Sequence, residues 1–269
     1  MRLQSVPARR GAAWVGAGFR AFFRRPLAFA ALFATFMFVV FGSALVPVVG
    51  PLVALALMPL VCQGFMIATR KVVDGGVPTP RVFLEPLRAG RARALSMALL
   101  GAGYAVATLG IVWLSDALDG GSLQALMDAL PDSTRAPDAA ASTLSDPELA
   151  FGLLVRLALA GALSVPFWHA PALIYWEGHS CAKALFASTL ACWRNRGAFA
   201  VYGLVWLGVV AMLCLLGGLL VAALGTSQMF SAVAVPLSLV LTTVFYVCLY
   251  FTYADCFVRD APDLPVLLA

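Results

Sequence analysis

Charge is scarce in this chain. Only 12% of its 269 residues are Asp, Glu, Lys or Arg, against about 25% in an ordinary soluble domain. Apolar residues make up 62% and the mean hydropathy is +0.94. That excludes a soluble globular domain and places most of the chain in lipid, divided into apolar spans of ~20 residues. Metal-ligating pairs are missing too. The two histidines, His169 and His179, are not at ligand spacing, and the six cysteines include no CxxC pair. No cofactor and no metal are therefore expected. Phosphate-cradling glycine loops, zinc-protease helices and serine-nucleophile elbows are likewise absent from the sequence. With no catalytic constellation, a non-enzymatic role is the expectation.

Cysteine placement speaks against disulfides. Cys62, Cys181, Cys192, Cys214, Cys248 and Cys256 all lie outside the acidic connection, the one sizeable segment expected in an oxidising compartment.

The charges that remain are sorted by sign. Arg2, Arg9, Arg10, Arg20, Arg24 and Arg25 precede the first span. Arg70, Lys71, Arg81, Arg88, Arg91 and Arg93 share one connection, and Lys183, Arg194 and Arg196 another. The connection Asp116–Glu148 carries seven acids and a single Arg135. Basic connections stay in the cytoplasm, so both termini are expected there and the acidic loop on the far side. Each basic cluster abuts an apolar span. Anionic lipid headgroups then suffice as partners, and nucleic acid is not expected.

Taken in order, residues 1–26 read as an N-terminal interfacial helix. Ser5 is its cap, Pro7 sits in its first turn, and Val15, Phe19, Phe22 and Phe23 form its lipid face. Residues 27–69 form a first transmembrane hairpin, with an uncharged turn and Pro59 kinking its second span. Residues 70–93 are a cytoplasmic surface segment. Residues 94–176 form a second hairpin around the acidic loop, 116–148. In its first span, Gly103, Ala107 and Gly110 follow a small-residue spacing for close helix approach. Within the loop, Ser122 can cap a short helix carrying Leu123, Leu126, Met127 and Leu130, and a mobile stretch rich in Pro, Ala, Ser and Asp follows. Residues 177–197 form an interfacial helix with Ala182, Leu185, Phe186, Leu190 and Trp193 on one side. Residues 198–257 form a third hairpin, and 258–269 a cytoplasmic tail. The pattern of surface element, basic box, span out and span back therefore occurs three times. Its boxes are Arg24-Arg25, Arg91-Ala92-Arg93 and Arg194-Asn195-Arg196. The fold class is an all-α membrane protein: six transmembrane helices as three hairpins, each preceded by an amphipathic surface element.

Three stretches carry a resemblance: VPARRGAAWVGAGFRAFFRRPLAF near the start, Cys62-Gln63-Gly64-Phe65-Met66, and APALIYWEGHSCAKALFASTLACWRNRGAF. Together they resemble a family of uncharacterised proteobacterial six-span inner-membrane proteins. More distantly the chain is similar to the membrane domain fused to some glycerophosphodiester phosphodiesterases. The resemblance implies a multi-pass protein of the bacterial inner membrane and carries no assigned chemistry. The phosphodiesterase catalytic domain has no counterpart here.

Several polar residues are candidates for a site. Arg156 lies ~10 Å inside the fourth span. It is either a counter-charge for an anionic substrate or lipid, or a side chain that snorkels or pairs internally. His169, between Pro166 and Pro171, is either part of a broken-helix binding site or a packed, hydrogen-bonded histidine. Glu177 and His179 read as helix termination or, alternatively, as an acid–base pair. Ser231, Ser238, Thr242, Tyr246, Tyr250 and Tyr253 keep near one face of the sixth span, as a polar path or as interhelical hydrogen-bonding groups. Asp255 and Arg259 are at the spacing of a surface ion pair. Arg194 and Arg196 are the candidate headgroup ligands. An intramembrane enzyme would require Glu177 and His179 to converge with another polar group in a cleft, and two further functions stand ahead of it. One is association with anionic lipid headgroups or a membrane-protein partner. The other is a transporter or transport accessory, with Arg156, His169, Tyr246 and Tyr250 around a central polar site.

Overall fold

The computed structural model describes residues 2–47, 49–121, 123, 147–224 and 227–258. The acidic-loop helix, apart from Leu123, the stretch after it, and Arg259 with the tail lie outside the described residues. Helices run α1 (Arg10–Arg24), α2 (Pro26–Ala44), α3 (Val49–Val73), α4 (Glu85–Arg88), α5 (Arg91–Asp119), α6 (Pro147–Phe167), α7 (Ala170–Glu177), α8 (Cys181–Arg194), α9 (Arg196–Leu224) and α10 (Ser227–Cys256). A 3-10 turn, Pro80–Phe83, precedes α4, and two short strands, β1 (Arg2–Leu3) and β2 (Phe257–Val258), flank the helical set. Six helical segments among the described residues are long and apolar enough to cross a bilayer: Pro26–Ala44, Val49–Val73, Arg91–Leu118, Pro147–Glu177, Arg196–Leu219 and Val233–Cys256. Chain order makes them three hairpins.

The surface elements close these hairpins into a ring. The 3-10 turn rests on α2 and α3, while α8 rests on α6 and α7. Each thus covers the hairpin before it. α1, the first of the surface elements, packs on the last hairpin, against α9 and α10. α10 in turn packs on α3, and α3 on α5. Gly101 marks the closest approach of α3 and α5, since a Cβ there would overlap the Ala56 carbonyl oxygen. A Cβ added at the expected contact points, Gly103 and Gly110, would meet nothing within 4 Å among the described residues. Their small size serves no helix contact, because the true approach is two residues earlier, on a different face of α5.

α1 also departs from expectation. It begins at Arg10 rather than near Ser5, because residues 2–6 are drawn into other pairings. β1 pairs antiparallel with β2, Arg2 opposite Val258 and Leu3 opposite Phe257. The Gln4 N–H donates to the Cys256 carbonyl at 2.9 Å. The buried face of α1 is Trp14, Val15, Ala17, Gly18, Ala21 and Phe22, while Phe23 is 65% exposed. Removing Val15 and Phe22 from contact with water contributes about 1.5–3 kcal/mol each. Asp255 locks the helix in place. Its carboxylate accepts from Arg10 Nε at 2.8 Å, Arg10 Nη2 at 2.9 Å and Trp14 Nε1 at 2.7 Å. The hydrogen bond to Asp255 raises the Arg10 guanidinium further above its already high ordinary value. Asp255 is therefore an internal tie at the basic end; the expected pair with Arg259 falls outside the described residues.

Candidate functional site

The fourth span is broken between α6 and α7. The Pro171 ring, in the first turn of α7, cannot donate a hydrogen bond and crowds the carbonyl four residues back. His169 N–H and the Val165 carbonyl, which a continuous helix would join, are bridged by a side chain from α8 instead. Ser188 Oγ accepts from His169 N–H at 3.0 Å and donates to the Val165 carbonyl at 3.0 Å. A freed backbone group at membrane depth requires such a partner. Ser188 can reach because α8 buries a small-residue face, Ala184, Ser188 and Ala191. The larger Phe186 and Trp193 point away, 71% and 69% exposed.

His169 is wholly buried at this break. Thr252 Oγ1 donates to the Leu249 carbonyl at 2.8 Å and accepts from Trp168 Nε1 at 3.1 Å. Its hydrogen is committed, so at 3.3 Å His169 Nε2 is the donor and Nδ1 is unprotonated. That Nδ1 lone pair faces the Cys192 thiol at 4.0 Å. Burial pushes the Cys192 thiol up to about 12.

The same hydrogen bond fixes Trp168 as a wall. Its indole meets Phe199, Tyr202 and Phe245 edge-on at 5.5, 5.9 and 5.9 Å. Beside these rings lies a groove of about 510 Å³, lined by residues of α6, α8, α9 and α10. Trp206 extends its aromatic lining, Cys192 and Val165 border it, and Arg196 belongs to its rim. The Arg196 guanidinium lies 5.6 Å from the centre of the Trp193 ring, close enough for the ring face to hold it. Arg194 and Arg196 are both exposed, and neither has an acidic partner among the described residues. Asn195 between them turns inward, 2% exposed. Its Oδ1 accepts from Val6 N–H at 2.8 Å, and its Nδ2 donates to the Gln4 and Ala191 carbonyls at 3.0 Å each. The box thus divides into two outward cations and one inward anchor for the N-terminal segment. Chemically, the arrangement offers aromatic surface to an apolar chain and guanidinium donors to an anionic head.

The other candidates do not converge on this groove, and among the described residues they do not gather into one site. Arg156 pairs with Asp116 of α5, and its 13-residue separation from His169 corresponds to roughly 20 Å of helix. Tyr246 stacks on Phe65 at 5.1 Å and points its hydroxyl at Met58 Sδ, 4.0 Å away. Tyr250 is buried edge-on to Trp176 at 6.1 Å. Tyr253 donates to Glu177 at 3.2 Å, and His179 N–H bonds the Leu173 carbonyl at 3.3 Å. Ser238 and Thr242 donate to carbonyls of their own helix; the Ser231 side chain lies outside the described residues. The stripe is thus not one polar path. Ser188, Asn195, Trp168 and Thr252 carry the geometry and were not among the expected residues. The available signals were Ser188 at helical spacing from Ala184 and Ala191, and a lone Asn between two arginines.

Six apolar spans closed into a ring by amphipathic elements make this a multi-pass helical membrane protein. Along its length the chain is 35% identical, over 268 residues, to a protein of Burkholderia thailandensis described as a probable inner membrane protein; the alignment covers 99% of this chain and 98% of that relative. The chain belongs to the same family of inner-membrane proteins. No family model matches it, and no solved structure does. The likeness to the phosphodiesterase membrane domain is not shown by these comparisons.

Proposed function

We propose that this protein is a non-enzymatic membrane protein that holds an anionic phospholipid in the groove beside Trp168. The basic end and both termini face the cytoplasm. One acyl chain lies against Trp168, Tyr202, Trp206 and Phe245, and the phosphate meets Arg196, with Arg194 adding to the local potential. The observation that carries this reading is an arginine without an acidic partner among the described residues, on the rim of an aromatic groove of about 510 Å³. Native mass spectrometry of the detergent-solubilised protein, titrated with phosphatidylglycerol and with phosphatidylcholine, tests it. Each arginine near an anionic headgroup contributes about 1 kcal/mol, so an Arg194→Ala/Arg196→Ala variant weakens phosphatidylglycerol binding roughly thirtyfold. Unchanged affinity and selectivity would overturn the proposal.

A second reading, a transport accessory, draws on the broken fourth span bordering the groove, since broken helices line many transport sites. It requires the groove to open toward both membrane faces. Cysteine accessibility along α6 and α9 from one face only would exclude it.

A further inference from the structure

A second cavity, of about 470 Å³, lies between α2, α3 and the 3-10 turn, and shares no lining residue with the first groove. Its walls include Phe36, Val39, Leu57, Val61 and Leu84, and Arg81 belongs to its lining. Along α3 the lining runs from Ala54 to Val61, roughly 10 Å of helix. The turn that borders it is firmly seated. Val82 is wholly buried. Phe83 meets Phe65 edge-on at 5.7 Å and lies where any Cβ on Gly64 would overlap its ring. Arg81 is consequently held at the mouth while remaining exposed. The neighbouring acid, Glu85, is engaged by Lys71, and no acid pairs with Arg81 among the described residues.

We infer that this cavity is a second lipid site, which takes one acyl chain of an anionic phospholipid whose phosphate is held by Arg81. The charge at the mouth selects the occupant. A wholly apolar cleft suits any hydrocarbon, but an unopposed guanidinium beside it favours a chain that ends in an anion. The site rests on the same reading of the protein as lipid-holding, yet uses none of the residues of the first groove. Holding a lipid is then a property of two separate clefts, each with an arginine from the basic end at its border.

The test counts lipids. Protein in detergent is titrated with phosphatidylglycerol, and native mass spectrometry reads the number bound and the affinity of each. The wild type binds two. Arg81→Ala weakens one of the two about fivefold, the worth of one interfacial arginine, and leaves the other. Arg81→Lys restores much of it. Leu57→Trp, which fills the cavity, removes the same lipid; if that variant fails to elute as wild type does, Arg81→Ala alone decides. A single bound lipid insensitive to Arg81 and sensitive to Arg196 overturns this site and leaves the first standing. A single lipid sensitive to Arg81 alone does the reverse. If Leu57→Trp converts a dimer to a monomer while lipid counts stay the same, the cavity receives a helix of a second copy and the inference fails.

Discussion

Replacing Ser188 by Ala should cost about 2 kcal/mol of stability, more than its modest polarity suggests. Polar contacts between membrane helices contribute only ~0.6 kcal/mol on average, because the separated helices find other partners. Ser188 differs in what it leaves behind. Its hydroxyl satisfies two backbone groups across the break, His169 N–H and the Val165 carbonyl. The carbonyl keeps the Cys192 thiol at 3.6 Å, whereas the N–H of a wholly buried residue keeps no such substitute. A stranded buried donor costs ~1–3 kcal/mol, and the upper half of that range applies where water is excluded. Unfolding in mixed micelles of rising dodecyl sulfate fraction, followed by tryptophan fluorescence, reads the difference. Ser164→Ala is the control, since that hydroxyl donates only to the Gly161 carbonyl of its own helix; its effect should stay within ~0.5 kcal/mol. The cause can be isolated by repeating Ser188→Ala in a Pro171→Ala background. There the helix can close toward its regular pattern, and the loss should shrink, giving a coupling of at least ~0.5 kcal/mol. If Ser188→Ala is as stable as wild type, or costs the same with and without Pro171, the hydroxyl does not hold the break.

Asp255→Ala strands both the Arg10 guanidinium and the Trp14 indole; with Arg10 23% exposed, the cost falls short of a fully buried pair, at about 2–3 kcal/mol. The same micelle titration measures it, and a loss under 1 kcal/mol would remove the tie from the account of α1. Gly101→Ala pushes α5 away from the Ala56 carbonyl and should destabilise by about 1–3 kcal/mol, whereas Gly103→Ala, with open space around it, should be neutral or better by up to ~1 kcal/mol. Equal effects would refute the assigned face of α5. Cys192 supplies a pH dependence. Its folded thiol titrates at about 12 against 9.0 in an unperturbed thiol, so its contribution is intact below pH 9 and declines above it, where the unfolded chain ionises first. Unfolding midpoints between pH 8 and 10 should fall less steeply in Cys192→Ala than in the wild type, and parallel curves would count against burial of that thiol.

Hydropathy alone located the spans, because an ~20-residue apolar run admits few other structures. The basic boxes located the surface elements for an equally direct reason, since an arginine beside a span belongs at the headgroups. Facial assignment was harder. In water a helix advertises its buried side by polarity, but inside lipid both sides are apolar and the period carries no such contrast. Gly103 and Gly110 fitted a packing pattern as well as Gly101 did, and only the position of Ala56, forty-five residues earlier in sequence, separates them. α1 illustrates a related ambiguity. Phe19, Phe22 and Phe23 make an apolar face fit for lipid, yet Trp14, Gly18 and Ala21 make one fit for a helix, and the helix is what α9 and α10 supply.

Asn195 shows why the candidate groove was only half legible. Between two arginines it passes for part of a charged patch, and charge at an interface explains Arg194 and Arg196 fully. Nothing local signals that Gln4 and Val6, some 190 residues earlier, supply the backbone groups that satisfy its amide. An amide oxygen and nitrogen can together meet a passing N–H and C=O, which neither arginine could do, having no acceptor. Asn195→Asp keeps the acceptor for Val6 N–H but removes both N–H donors, so the Gln4 carbonyl loses its partner and a carboxylate must sit in a nearly closed site. That substitution should release the N-terminal segment while leaving the outward arginines in place. Faster amide hydrogen exchange at residues 2–6, with phosphatidylglycerol affinity held at the wild-type value, would separate the anchor from the headgroup ligands. Unchanged exchange would mean that the β1–β2 pairing alone secures the segment, and that the inward turn of Asn195 has some other use.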